Sequence, residues 1–230
     1  GVTNDILNTA RPQGAAWDMG VYEGAGTGEG ARQSVSYVRP TGNDTTGDGS
    51  AGNPWATIGH AVGHTAPSGT VYVAGGAYAE RINLGVEKKG IAIRGGYNPG
   101  SWAWDPRNNK TVVNGSGRSP VSVSVGTDSN TLGHLTLRGG TMSGEAGILF
   151  AGQVPTLFIQ GCTIVSNYIG VNADAYDATR TITLRNTLVA RNTSHGLCSY
   201  LYCWGCWYLY NCTVADNGGH GFNSAAFDWR

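Results

Sequence analysis

At 230 residues the chain has room for one large domain or two small ones. Fifteen Lys and Arg balance fifteen Asp and Glu, so no general attraction to nucleic acid or to an anionic membrane is expected. Thirty-seven glycines, two methionines and the lack of any long apolar run argue against a helical protein and against a membrane-spanning helix.

The first segment contains Asp5-Ile6-Leu7-Asn8 and then Arg11-Pro12-Gln13-Gly14-Ala15-Ala16-Trp17-Asp18-Met19-Gly20-Val21-Tyr22-Glu23. It resembles the segment that closes parallel β-helices at their C-terminal end in large bacterial surface proteins. Residues 1–23 are therefore expected to be a closing or linking segment placed at the front, with Trp17 and Tyr22 as contact residues. Residues 24–34, beginning Gly24-Ala25-Gly26-Thr27-Gly28-Glu29-Gly30, read as a flexible linker. A start at Gly1 without a signal peptide is what a mature or excised product would show.

Next come Tyr37-Val38-Arg39-Pro40-Thr41-Gly42-Asn43-Asp44, Gly47-Asp48-Gly49, Asn53-Pro54-Trp55-Ala56-Thr57-Ile58, Ala61-Val62 and Ser68 to Tyr78. This order resembles the N-terminal entry of the right-handed parallel β-helix proteins of the pectate-lyase-like superfamily. The resemblance implies a strand, an Asp/Gly turn, a short capping helix and then the first coil. Asn53 is expected to cap that helix, Pro54 to take its first position, and Ile58, Ala61 and Val62 to share its apolar face. Such a helix covers one open end of the stack. Asn43, Asp44 and Asp48 read as a Gly/Asp turn in preference to a Ca²⁺ loop. The superfamily holds lyases, hydrolases, epimerases, adhesins and fibre proteins, so the resemblance implies a fold and leaves function to the site.

From residue 35 to 230 the chain reads as one all-β domain, a parallel β-helix of about 25 residues per coil. The period is carried by Asn167, Asn192 and Asn217, by Cys162, Thr187 and Cys212, by Ile164, Val189 and Val214, and by Ile159, Leu184 and Leu209. Leu132, Leu157, Ile182 and Trp207 supply a fourth register. Within a period apolar residues alternate, as in Leu157 and Ile159 against Phe158 and Gln160, which is the strand pattern. Stacked coils about 4.8 Å apart then form side-chain ladders, in roughly six or seven coils. The asparagine ladder is expected at a bend, its amides bonded along the axis and its backbone in the left-handed region.

Cys162 and Cys212, two coils or about 9.6 Å apart, are too far apart for a disulfide and read as buried thiols. Cys198, Cys203 and Cys206 fall in an inserted loop where one disulfide is expected in an oxidising compartment. Sequons at Asn43, Asn109, Asn114, Asn192 and Asn211 suit an extracellular or cell-surface protein, with Asn192 a poor acceptor because of its ladder position.

Candidate chemistry is sparse. The three lysines, Lys88, Lys89 and Lys110, miss the ladder positions where a lyase base is expected. Asp216, Arg191 and Ser166 stack, which suggests an exposed ion pair. Asp174 and Asp177 fall in a loop over residues 173–179. His195 and His220 stack beside the bend and read as turn residues bonded to backbone, with a shared metal the lesser reading. Tyr200, Tyr202, Trp204, Tyr208 and Tyr210 form an aromatic cluster outside the strand, while Trp207 and Leu209 point inward. With Phe227 and Trp229 they are candidate assembly or ligand contacts. Together these features suggest a non-enzymatic structural module of an extracellular surface or filament protein, assembling head to tail with copies of itself or with neighbouring repeats. The alternative is a carbohydrate-active β-helix, a lyase, hydrolase or sugar-binding domain acting on a surface polysaccharide. No catalytic residue, cofactor, metal, nucleic-acid partner or membrane span is implied.

Overall fold

The computed structural model describes residues 32–85, 90–124, 129–151, 156–174, 181–199 and 207–224. The expectations for Trp17, Tyr22, Tyr200, Tyr202, Trp204, Phe227 and Trp229, for Cys203 and Cys206, and for the segment 1–23 lie outside them.

A first strand β1 (Gln33–Val38) and a helix α1 (Ile58–His64) precede the coils. Six rungs of three strands follow among the described residues. The first is β2 (Thr65–Ala74), β3 (Gly76–Tyr78) and β4 (Ile82–Leu84), and the second β5 (Ala92–Tyr97), β6 (Thr111–Asn114) and β7 (Val121–Ser124). The third is β8 (Asn130–Gly133), β9 (Leu135–Arg138) and β10 (Ala146–Ala151), and the fourth β11 (Thr156–Gln160), β12 (Thr163–Val165) and β13 (Ile169–Asp174). The fifth is β14 (Thr181–Arg185), β15 (Leu188–Ala190) and β16 (Leu197–Ser199), and the sixth β17 (Trp207–Tyr210), β18 (Thr213–Ala215) and β19 (Phe222–Ser224). Each rung gives one strand to each of three sheets, ordered β1-β2-β5-β8-β11-β14-β17, β3-β6-β9-β12-β15-β18 and β4-β7-β10-β13-β16-β19. Every pairing between named strands is parallel. The chain is a parallel β-solenoid.

Three inward columns fill it. In the first sheet Val71, Ile93, Leu132, Ile159 and Leu184 lie in register, and each is 1% exposed or less. Tyr78, Val113, Leu137, Ile164 and Val189 line the second sheet, and Ile82, Val121, Ile148, Val171 and Leu197 the third. Burying each such aliphatic side chain is worth roughly 1.5–3 kcal/mol, and no rung can do it alone because its floor and ceiling are the neighbouring rungs.

The 25-residue step holds for the last three rungs in the first two sheets, becomes 26 between β13 and β16 in the third, and fails before them. Ile159 pairs with Leu132 and Leu157 with Asn130, a step of 27 residues, so Leu132 does not lie under Leu157 as the uniform period predicts. A shift of two leaves every side chain on its original face, which is why Leu132 is still inward. The linker boundary also moves, since β1 begins at Gln33.

The helix is capped differently from the sequence expectation. Its N-cap is Thr57, whose hydroxyl accepts from the N–H of His60 at 3.3 Å, while Asn53 and Pro54 belong to the preceding turn. The N–H groups of Ile58 and Gly59 donate to the two carboxylate oxygens of Glu80 at 2.9 and 2.7 Å. That carboxylate, brought in from the first coil, satisfies two helix donors that a local cap would leave open. Ile58, Ala61 and Val62 are buried, as expected.

At the corner between second and third sheets the asparagines form the expected ladder. The backbone N–H and Nδ2 of Asn167 both donate to Oδ1 of Asn192, at 3.1 and 3.2 Å. Asn192 repeats this toward Asn217 at 3.1 and 2.9 Å, and the N–H of Gly140 donates to Oδ1 of Asn167 at 3.0 Å. The left-handed residues are those just before the asparagines, Ser166, Arg191 and Asp216, with φ of 57°, 53° and 53°. This corrects the expectation that the asparagines themselves take that conformation; their amides must turn inward to reach the next rung. Gly147, Gly170 and Gly196 make room for them. A Cβ on Gly170 would lie 2.4 Å from Val189 Cγ1 and 3.0 Å from Asn192 Nδ2. Replacing Asn192 by Ala strands the backbone N–H of Asn167 in a site that is 0% exposed, although its Nδ2 keeps Leu137 O and Val165 O, and it also removes the Nδ2 bond to Asn217, which together should cost about 2–4 kcal/mol. The expected result is a melting temperature lower by roughly 5–10 °C, read by circular dichroism.

Candidate functional site

Outward residues of the first sheet form two columns. One runs Tyr37, Tyr72, Arg94, Gly133, Gln160, Arg185 and Tyr210, and the other Val35, Thr70, Ala92, Thr131, Phe158, Thr183 and Tyr208. Neither column contains a carboxylate. Tyr37 packs on Tyr72 with centroids 5.5 Å apart, Tyr72 on Tyr97 at 4.7 Å, and Arg185 lies 4.8 Å over the ring of Tyr210. Tyr208 and Tyr210 are exposed, as the alternation predicts.

A groove of about 470 Å³ crosses this face, lined by Arg94, Tyr97, Trp104, Thr131, Gly133, His134 and Gln160. Trp104 stands at its side, 53% exposed and edge-on to His134 at 5.0 Å. His134 is itself a left-handed corner residue (φ 55°), in the same corner as Gly161, Asn186 and Asn211. Its ring occupies space over Gly161, where a Cβ would come within 2.5 Å of it. Burial, then the Arg94 cation, pushes the His134 pKa below its ordinary value. Sequence reasoning missed this groove. The available signal was the long second rung, where the step from Ile93 to Leu132 spans 39 residues and holds the excursion bearing Trp102 and Trp104. A second, shallower cleft of about 450 Å³ is lined by Arg107, Asn108, Asn109, Lys110, Pro99, Gly75 and Gly76.

The last described rung differs from those below it. Leu209 is 42% exposed, whereas Leu184, its partner one rung earlier, is 0% exposed. Trp207, Val214 and Phe222 are only partly buried against the core. Cys212, expected to be buried, is likewise half-exposed, because no described rung lies over it. Cys162 is buried, its thiol pushed up to about 11 by desolvation, and Thr187 sits between the two with its hydroxyl donating to Arg185 O at 2.9 Å. Cys198 lies in β16 and is 0% exposed, so it is a sheet residue rather than part of an inserted loop.

Other expectations sort cleanly. Asn43 Oδ1 accepts from the N–H groups of Thr45 and Thr46, and Asp48 Oδ1 from that of Ser50, which are turn contacts. Asp174 closes β13 instead of lying in a loop. Arg191 and Asp216 make no ion pair; their shared left-handed corner backbone sets the column. His195 Nδ1 accepts from the N–H of His220 at 3.0 Å, and the two rings stack 5.5 Å apart, as turn residues bonded to backbone. Among the described residues no cluster of three His, Cys, Asp or Glu could hold a metal, and no helix is long and apolar enough to cross a membrane. No protein-family model, curated protein or solved structure matches the chain.

His60, His134 and His195 all have pKa values pushed below 6.5, first by burial. The unfolded chain therefore binds their protons more tightly than the native one. Their contribution is complete above about pH 6.5 and is lost as pH falls below it. The melting temperature should fall between pH 7.5 and 5.5, and a His60→Gln, His195→Gln double variant should show a shallower fall. In peptide mapping after brief alkylation, Cys212 should react well before Cys162.

Proposed function

We propose that the chain is a non-enzymatic structural module of an extracellular surface or filament protein, extending its stack head to tail through the N-terminal segment and the last rung. The observation that carries this reading is the exposure of Leu209 on a ladder whose lower members are sealed. Trp207 adds to it, since its Nε1 is buried without a hydrogen-bond partner. Among the described residues β17, β18 and β19 are sheet edges whose side chains continue the inward columns, and such an edge is a template for one more parallel rung. A contact of this kind between unlike surfaces does not close on itself and propagates. The N-terminal motif order supports placement in the pectate-lyase-like superfamily. Exposed sequon asparagines at Asn43 and Asn211 support an extracellular setting.

A carbohydrate-active solenoid is the second reading, favoured by the groove beside Trp104. Uronate or reducing ends released from acidic polysaccharides would promote it.

The purified chain should form threads by electron microscopy and a rising mass by light scattering as concentration increases. Leu209→Asp, which places a charge on the growing edge, should leave mostly monomer. A parent chain that stays monomeric throughout the concentration range sinks the structural reading.

A further inference from the structure

We infer that His60 and His64, on the outward side of the capping helix, form a chelating site for a divalent transition-metal ion. Burial of Ile58, Ala61 and Val62 fixes the rotation of α1 and turns positions 60 and 64 away from the core. His64 is exposed and His60 half-buried. Four residues apart on one helix they are neighbours, and their rings stack with centroids 4.0 Å apart and planes 18° from parallel. Trp55, 5% exposed and anchored through Nε1 to Gly47 O at 3.2 Å, packs on both, edge-on to His60 at 5.2 Å and tilted to His64 at 5.3 Å.

The ring nitrogens specify the ligand. A carbonyl oxygen only accepts, so the contact of His64 Nδ1 with His60 O at 2.9 Å puts the proton on Nδ1 and leaves the Nε2 lone pair open. A backbone carbonyl behind the ring is the support that metal-bound histidines commonly have. Neither ring nitrogen of His60 hydrogen-bonds to a described residue. The other stacked pair shows the contrast. His195 Nδ1 accepts the N–H of His220, so its Nε2 carries the proton and meets Asn223 at 3.1 Å, which closes that ring to a metal. Asp44, its oxygens held by Ala56 and Thr57, adds a negative charge within reach of His60. Two nitrogens bound at a right angle to one ion stand about 3 Å apart, which a small rotation of the stacked rings supplies. Imidazole pairs suit Ni²⁺, Cu²⁺ and Zn²⁺, with Cu²⁺ the tightest, and water fills the remaining positions. A bound ion ties together the last turn of α1, where the chain passes into β2, and so stiffens the cap on the first coil.

The experiment is calorimetric titration of the full chain with Ni²⁺, joined by electron paramagnetic resonance with Cu²⁺ to count bound nitrogens. The parent should take up Ni²⁺, bind Cu²⁺ more tightly, and show two imidazole nitrogens in the Cu²⁺ spectrum. His60→Gln and His64→Gln each leave a single imidazole in place of a chelate, and each should weaken Ni²⁺ binding at least tenfold. His195→Gln and His220→Gln should bind like the parent. Ni²⁺ should raise the melting temperature of the parent and leave that of His64→Gln unchanged. Trp55→Phe should keep most of the affinity and lose the part of the Ni²⁺-dependent quenching of tryptophan emission that comes from the ring beside the site. Three results overturn the proposal: Ni²⁺ affinity within about twofold of the parent in both His60→Gln and His64→Gln, an equal loss in His195→Gln, or no uptake by the parent below millimolar Ni²⁺.

Discussion

Asn192 sits between two other asparagines and joins them through a single oxygen, which accepts both the backbone N–H and the side-chain N–H of Asn167. Its own N–H groups pass the same pattern to Asn217. Because the corner is buried, no water can replace these bonds, and a rung that slipped by one residue would leave several polar groups unsatisfied. The slip would also turn each inward column to solvent. Register at this corner therefore holds the sheets on either side of it, and through them the sealed core.

The same constraint explains where the surface can vary. Corner residues must adopt positive φ, and non-glycine residues pay for this at His134, Ser166, Asn186, Arg191, Asn211 and Asp216. Outward positions and excursions between strands carry no such demand. Variation there costs the stack little, so a feature such as the Trp104 excursion can be added without disturbing the rungs beneath. The groove lies where two departures from the repeat meet, a glycine in an outward column and a long connection after β5.

Much of the architecture was legible in the chain. Alternation placed Ile159, Leu184, Ile164 and Val189 inward, and the 25-residue spacing paired them with their true neighbours. Spacing misled at Leu132 because two residues had been gained between rungs, and parity alone cannot detect an even shift. The helix cap was misread because Thr57, four residues after Asn53, is an equally suitable local cap, and the added acceptor Glu80, 22 residues from Ile58, announces nothing in the local pattern. Cys198 was misplaced for a related reason, since β16 takes up the first residues of what looked like a loop.

By itself the sequence determined the strand period, the faces and the polar ladder, because each follows from local alternation and from identical residues recurring at a fixed step. The tertiary structure alone decided which residues from unequal rungs meet. Arg94, Gly133 and Gln160 become neighbours only when steps of 39 and 27 residues are folded into register, so that distant excursions and outward columns share one face. Proximity across unequal loops is set by backbone pairing through space, a quantity that spacing along the chain does not encode.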